Sequence, residues 1–304
     1  MRLGVAATPE VAIPTLDWLL ASKHTIELII TQPDKPAGRG RLLTQSPVGD
    51  WAEQHHIKLA KPSHSTELNG VIDDLDCVIT IGYGVLLPQE VLDLPRHGFL
   101  NLHFSLLPQY RGAAPIHRAI MNGETTTGVT IFRLQHAIDT GGILMQQSIP
   151  IGANETVGEL YTTLSQAGAN LLVSTLHRLA AGDLQEQPQE TLIRGALHHA
   201  PKIFTADCII DWKKPGVVIH NQIRGLSPHP GAMSTLDGKN LKIFKASFEQ
   251  TSLTKEPGKM ITDGKSKMSF ACEDGWIHVE SLQLEGKKRM LTTEFLKGYR
   301  PVQN

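Results

Sequence analysis

Residues 2–31 read RLGVAATPEVAIPTLDWLLASKHTIELIIT, and this stretch decides the fold. Residues 2–7 read as a buried strand, apolar from Leu3 onward, and Thr8-Pro9-Glu10 closes it with a turn. Val11, Leu16, Leu19 and Leu20 then recur at helical spacing over 11–22, with Pro14 in the first turn, where proline is tolerated. Residues 25–31 are a second apolar strand. Two apolar strands joined by a helix predict a parallel pair with a right-handed crossover, and hence an α/β sheet covered on both faces.

The same pattern continues along the chain. Residues 77–81 (CVITI) and 98–104 (GFLNLHF) read as strands, with short helices expected over 47–56, 88–94 and 113–122. Two more strand-like runs lie at 127–134 and 142–151. A helix over 156–181 carries Leu160, Leu164, Ala167, Leu171, Leu172, Thr175 and Leu179 on one stripe and ends at Gly182, a helix-stopping glycine. The texture then changes. Residues 184–203 are polar and irregular and read as a linker between a first domain, 1–183, and a second, 204–304. In the second domain, short alternating runs at 241–248, 258–262, 267–272 and 276–284 stand between glycine turns, the pattern of a small β-barrel or an open barrel.

Composition excludes several classes. The 304 residues are 40% hydrophobic and 19% charged, an ordinary globular balance that leaves no room for a disordered or collagen-like chain. The cysteines, Cys77, Cys208 and Cys272, are odd in number and far apart, so neither a disulfide framework nor a zinc site is expected, and no metal is predicted. No apolar run reaches the length of a membrane span and the N-terminus enters a strand at once, which points to a cytoplasmic protein without a membrane partner. Nothing demands an oligomer, so a monomer is expected. The formal charge of −1 conceals a gradient: residues 1–203 hold 14 Lys/Arg against 19 Asp/Glu, and residues 204–304 hold 15 against 11. The second half is the more basic one, as an anionic partner would require.

Neither of the common phosphate-binding loops is present. No GxGxxG follows the first strand, and no GxxxxGK[ST] occurs. The segment richest in chemistry is 101–112, NLHFSLLPQYRG, at the end of a strand, where open α/β sheets bind ligands. Asn101 and His103 are two apart and leave the strand on one face. Asp139, in the Asp139-Thr140-Gly141-Gly142 turn between two further strands, can reach the same crevice. An Asn amide can donate to a developing oxyanion, a His can relay a proton near neutral pH, and an Asp can orient the imidazole or accept a proton. Together they suit acyl transfer to an amine, which attacks directly and needs no Ser or Cys nucleophile. Each residue also has an ordinary structural use, Asn101 and Asp139 as turn formers and His103 as a strand-end residue.

The pattern Asn-x-His-x-Ser-Leu-Leu-Pro-x-x-x-Gly followed by Asp-Thr-Gly resembles the 10-formyltetrahydrofolate-dependent formyltransferases. The likeness extends over nearly the whole chain: TQPDKPAGRGR at 31–41, YGVLLP at 83–88, NLHFSLLPQYRGAAPIHR at 101–118, IDTGG at 138–142, RGLSP at 224–228 and GKKRM at 286–290. The PAGRGR loop and the C-terminal pieces resemble the branch of the family that formylates the α-amine of initiator methionyl-tRNA. The resemblance implies a Rossmann-like parallel-sheet formyltransferase domain followed by an OB-like β-barrel. It implies catalytic roles for Asn101, His103 and Asp139, and 10-formyltetrahydrofolate as a consumed co-substrate. The folate would lie on Ser105, Leu106, Leu107 and Pro108, with Gly82, Tyr83 and Gly84 along its pterin side. Initiator methionyl-tRNA would be gripped by Lys35, Arg39 and Arg41 in the long loop 32–46 and by Lys287, Lys288 and Arg289. The chain departs from the family pattern at Ala7, Gly82, Phe104 and His229; Phe104 stands where a small glycine usually follows the histidine. A nucleotide-sugar formyltransferase shares the Asn–His–Asp set but gives no reason for the basic loop. A formyltetrahydrofolate hydrolase would release formate without an acceptor. A non-catalytic RNA-binding adaptor would use the barrel alone.

Overall fold

The computed structural model describes residues 1–37, 42–252 and 255–300. The chain divides into two compact units. The first comprises residues 1–115, 126–150 and 161–201, and the second comprises 116–125, 151–160 and the chain from Lys202 onward.

The strands of the first unit are β1 (Arg2–Ala7), β2 (Thr25–Ile30), β3 (Lys35–Ala37), β4 (Leu42–Thr44), β5 (Lys58–Ala60), β6 (Cys77–Ile81), β7 (Phe99–His103), β8 (Thr126–Arg133) and β9 (Ile143–Pro150). The helices that follow the chain are α1 (Ile13–Leu20), α2 (Pro47–Gln54), α3 (Gln89–Leu92), α4 (Pro115–Met121) and α5 (Val157–Ala181). Seven strands form one sheet in the order β5-β2-β1-β6-β7-β8-β9. The first five are parallel, as the buried apolar runs predict, while β8 and β9 join antiparallel as a hairpin at one edge. The sheet is therefore mixed. β1 is buried from Leu3 onward and β6 throughout, as expected of central strands covered on both faces. From β1 the chain runs outward to β2 and β5, then returns to β6 on the other side of β1. Chain direction across the sheet thus reverses between β1 and β6, which opens a crevice beyond their carboxyl ends.

Two stretches carry more structure than their sequence suggests. Within the loop 32–46, β3 and β4 pair as a short hairpin, Lys35 opposite Thr44 and Ala37 opposite Leu42. The stretch that reads as a linker, 184–203, is bound to the first unit as far as Pro201. Gln187 and Ile143 exchange both backbone hydrogen bonds at 2.8 Å, Tyr110 N–H donates to the His198 carbonyl at 2.7 Å, and Ala200 N–H donates to the Arg111 carbonyl at 2.8 Å. Its polar composition reflects these backbone and amide partners rather than exposure along its whole length.

The second unit contains α6 (Thr205–Cys208), α7 (Gly216–Gly225), β10 (Ala232–Leu236), β11 (Lys239–Gln250), β12 (Met260–Thr262), β13 (Met268–Ala271), β14 (Gly275–Leu284), β15 (Met290–Leu291) and α8 (Thr292–Gly298). Its antiparallel sheet runs β10-β11-β14-β13-β12, with β15 on β14. Among the described residues the strand path does not close, so of the barrel and the open barrel that the sequence allows, the unit is the open one, a half-barrel. Register shifts on either side of Lys245 let the long β11 bend. Ile219 and Ile223 from α7 and Leu296 from α8 share the core with Leu241, Ile243, Phe270, Ile277 and Leu282. Two segments from earlier in the chain are bonded into this unit. Arg118 meets Asp207 with two parallel bonds of 3.0 and 2.9 Å, and the buried Arg224 guanidinium donates to the carbonyls of Gly152 and Glu155 at 3.2 Å.

Among the described residues no helix is long and apolar enough to cross a membrane. One buried histidine gives the first unit a pH dependence. Burial lowers the His24 imidazole from its ordinary 6.5 to about 4, helped by the Met1 amino group 3.4 Å from Nδ1 and by the neighbouring His177 ring. Below pH 6.5 the unfolded chain takes up this proton while the folded chain stays neutral down to about 4, so the stabilisation is complete above 6.5 and is lost as pH falls to 4. His24→Gln is expected to flatten the fall of the thermal midpoint over that window; an unchanged slope in the variant contradicts the assignment.

Candidate active site

β7 brings the first two candidate residues to the crevice. Asn101 pairs with Thr80 of β6, and His103, the last residue of the strand, pairs with Thr130 of β8. With one residue, Leu102, between them on the strand, both side chains leave one face of the sheet. They line a cavity of about 620 Å³, the size of a small-molecule site. Its walls come from Pro9 after β1, Gly82-Tyr83-Gly84 after β6, Phe104 after β7, the Leu134–Asp139 segment of the β8–β9 turn, and Tyr161 of α5. Val85, Leu86 and Leu87 add an apolar side.

His103 is buried and its ring orientation is fixed. Nε2 lies 3.0 Å from the Tyr110 carbonyl oxygen. A carbonyl only accepts, so Nε2 carries the proton and donates it. Nδ1 is left facing Asp139, whose Oδ2 is 3.9 Å away. That distance is too long for a hydrogen bond and fits an ion-pair contact. The same Oδ2 accepts the Gly112 backbone N–H at 2.8 Å. Asp139 itself has φ 53°, in the left-handed region that only a well-tied turn sustains for a non-glycine residue. The structure thus gathers Asn101, His103 and Asp139 at one cavity.

Glycine is required at two places around this set. A Cβ on Gly112 would lie 2.5 Å from the Ala200 carbonyl oxygen, and one on Gly141 would collide with the Arg133 carbonyl. Both turns therefore approach neighbouring backbone more closely than any side chain permits. Burial pushes the Tyr83 and Tyr161 phenols above the ordinary tyrosine value, so both are protonated donors at neutral pH.

Gly82, Tyr83 and Gly84 lie on the cavity wall, whereas Ser105, Leu106, Leu107 and Pro108 do not line it. This loop turns inward. Ser105 is fully buried and its hydroxyl donates to the Gln109 carbonyl at 2.7 Å. Thr130 Oγ1 donates to the Ser105 carbonyl and accepts the Leu107 N–H, and the Gln146 amide donates to both Thr130 Oγ1 and the Leu107 carbonyl. Leu107 packs with Phe132 and Ile143. The Ser-Leu-Leu-Pro loop is thus a scaffold behind the cavity, because the buried Thr130 hydroxyl and the half-buried Gln146 amide draw its backbone toward the sheet. Phe104, the departure from the family pattern, stands on the cavity wall edge-on to Tyr161, with ring centroids 6.1 Å apart.

Of the basic residues, Lys35 is exposed on the β3–β4 hairpin and donates to Gln32 Oε1. Arg39 and Arg41 lie outside the described residues. Lys287 and Lys288 are exposed in the turn between β14 and β15. Arg289 is held by its own unit, with its guanidinium 4.4 Å above the Phe244 ring and Nε donating to Ser281. Tyr161, Thr130, Gln146 and Gln189 carry no sequence signal that separates them from ordinary helix, strand or loop residues.

Residues 5–176 match the family model described as formyl transferase, and residues 202–300 match the one described as formyl transferase, C-terminal domain. A methionyl-tRNA formyltransferase from Citrifermentans bemidjiense is 41% identical over 99% of this chain and 94% of its own. One from Bacteroides fragilis is 40% identical over 98% and 95%. Among solved structures, an N-formyltransferase from Helicobacter canadensis, in complex with folinic acid and dTDP-3-aminofucose, superposes with a TM-score of 0.68 at 20% identity, covering 95% of this chain and all of that one. HypX from Aquifex aeolicus, in complex with tetrahydrofolic acid, gives 0.65 at 18% identity over 99% of this chain and 48% of its own. These two share the fold. Identity of about 40%, sustained along nearly the full length of the relatives and through both units, shows that the chain belongs to the methionyl-tRNA formyltransferase family.

Proposed function

We propose that the chain transfers the formyl group of 10-formyltetrahydrofolate to the α-amine of initiator methionyl-tRNA, giving formylmethionyl-tRNA for translation initiation and tetrahydrofolate. The observation that carries this reading is the meeting of Asn101, His103 and Asp139 at one cavity beyond the carboxyl ends of β6 and β7. It is joined by family membership along both units, and by the folates named in the two structures of the same fold.

In this reading the folate ring system lies between the Gly82–Gly84 turn with its apolar Val85–Leu87 side and the Phe104–Tyr161 pair, which excludes water from the reacting carbon. The neutral amine attacks the formyl carbon and forms the new C–N bond, and the carbonyl electron pair moves onto oxygen. The Asn101 amide and the Nδ1–H of protonated His103 donate to that oxyanion. Nδ1 is the ring nitrogen that exchanges a proton, since the Tyr110 carbonyl holds the other. Asp139 takes the proton released by the attacking nitrogen. Collapse breaks the bond from the formyl carbon to N10, and N10 receives its proton from His103. The proton on Asp139 then returns to Nδ1, which it faces at 3.9 Å. Residues 1–183 carry the chemistry, 184–203 connect, and 204–304 bind tRNA. Lys35, Arg39 and Arg41 approach the acceptor end, and Lys287, Lys288 and Arg289 neutralise phosphates further along. The protein works in the cytoplasm as a monomer.

Asn101→Ala and His103→Ala are each expected to lower single-turnover formyl transfer by about 10²–10³-fold while tRNA affinity stays near that of the unaltered protein. Near-normal transfer by either variant overturns the assignment, and transfer to a nucleotide amino-sugar in place of methionyl-tRNA would redirect it. Lys288→Ala is expected to weaken tRNA binding and to reduce the slope of log affinity against log salt by about 1, with folate binding unchanged. An unaltered slope removes that lysine from the interface.

A further inference from the structure

Gln189 belongs to none of the segments that carry the family pattern, yet its side chain is fully buried beside the candidate site. Its Oε1 accepts from Arg111 twice, from Nε at 3.0 Å and from Nη2 at 2.7 Å. Its Nε2 donates twice, to the carbonyls of Asp139 at 2.9 Å and Gly141 at 2.7 Å. Arginine only donates and carbonyls only accept, so the orientation of the amide is fixed, and all four of its hydrogen-bonding positions are used. The guanidinium charge on Oε1 also strengthens the amide N–H groups as donors.

The partners give this arrangement its meaning. Residues 135–138 of the β8–β9 turn are exposed, and Asp139 holds a left-handed backbone. Little else in that turn can fix the carboxylate. Arg111, on the other side of the amide, sits between Tyr110, whose carbonyl holds His103, and Gly112, whose N–H holds the Asp139 carboxylate. One glutamine therefore ties the backbone of Asp139 to the short segment that orients both His103 and the Asp139 side chain.

We propose that Gln189 is a positioning residue for formyl transfer, setting the placement of the Asp139 carboxylate against His103 from outside the segments that carry the family pattern. The inference rests on the reading that Asp139 accepts the amine's proton. Gln189 touches no reacting atom and acts through Asp139.

The test is a double-mutant cycle of Gln189 with Asp139 in the full-length protein. Gln189→Glu keeps the acceptor for Arg111 and removes both donors to the turn; Gln189→Leu removes all four bonds and provides a second, uncharged variant. Both are assayed well below their thermal midpoints, with circular dichroism to establish the folded state. Either variant is expected to lower kcat by about ten- to a hundred-fold while both KM values stay within about twofold. In an Asp139→Asn background the same Gln189 substitutions are expected to produce almost no further loss, because the group they aim is already gone. The proposal is overturned if the folded variants keep their kcat, if the loss appears in KM alone, or if the loss multiplies undiminished on Asp139→Asn. A fully active Asp139→Asn protein would instead overturn the underlying proton-acceptor role, and with it the proposal, and that outcome is read from the single variant.

Discussion

His103 donates Nε2–H to the Tyr110 carbonyl, and the geometry around the candidate site depends on that bond. It fixes the tautomer, so that Nδ1 is the nitrogen offered to the cavity and to Asp139. It also pins the loop leaving β7, which must double back for Tyr110 to reach the ring of a residue seven positions earlier. The doubling back carries Gly112 to the Asp139 carboxylate and Arg111 to Gln189. A buried imidazole is thus held without a direct carboxylate bond. The 3.9 Å to Asp139 leaves the two groups facing each other across a gap rather than joined. In the proposed reaction that separation lets the carboxylate receive a proton from the substrate before passing it to the ring.

The parallel part of the fold is legible because its strands are buried on both faces. Runs such as GVAA in β1 and CVITI at 77–81 are apolar without interruption, and nothing but a covered sheet accommodates them. β8 and β9 read equally well as strands, but their direction does not follow from hydrophobicity. It follows from the short Asp-Thr-Gly-Gly turn, which is too brief for a parallel crossover. The hairpin of β3 and β4 escapes notice because each strand has three residues and the described side chains of β4 are exposed, so no periodicity marks them. The second unit reads as either a closed or an open barrel because alternation gives strand number and not closure.

The candidate site was legible in a similarly uneven way. Asn101, His103 and Asp139 are each ordinary at a strand end or turn and stand out only as a set, through the Asn-x-His-x-Ser-Leu-Leu-Pro and Asp-Thr-Gly pattern. Ser105–Pro108 stand out as a pattern, but a pattern does not say which way a loop faces. Two polar side chains on neighbouring strands, the buried Thr130 and the half-buried Gln146, decide that it faces inward. Gln189 could not be found from sequence at all. Its partners lie 48, 50 and 78 positions away, two of them are backbone carbonyls, and it sits in a stretch whose composition resembles a solvated connector.

The strap after α5 has a consequence for how the active arrangement comes into being. The sheet and both candidate segments are complete once β9 has been made, and α5 ends the run of regular structure at Ala181. The bonds that clamp the loop after β7 and the Asp139 turn come later in the chain, from Gln187, Gln189, His198 and Ala200. Closing such long loops is entropically costly and is repaid only when the last segment docks. Emergence of the chain from the ribosome therefore separates folding from competence. A nascent chain released only as far as Gly182 already holds Asn101, His103 and Asp139, while the Gln189 amide that bonds the Asp139 turn has yet to arrive.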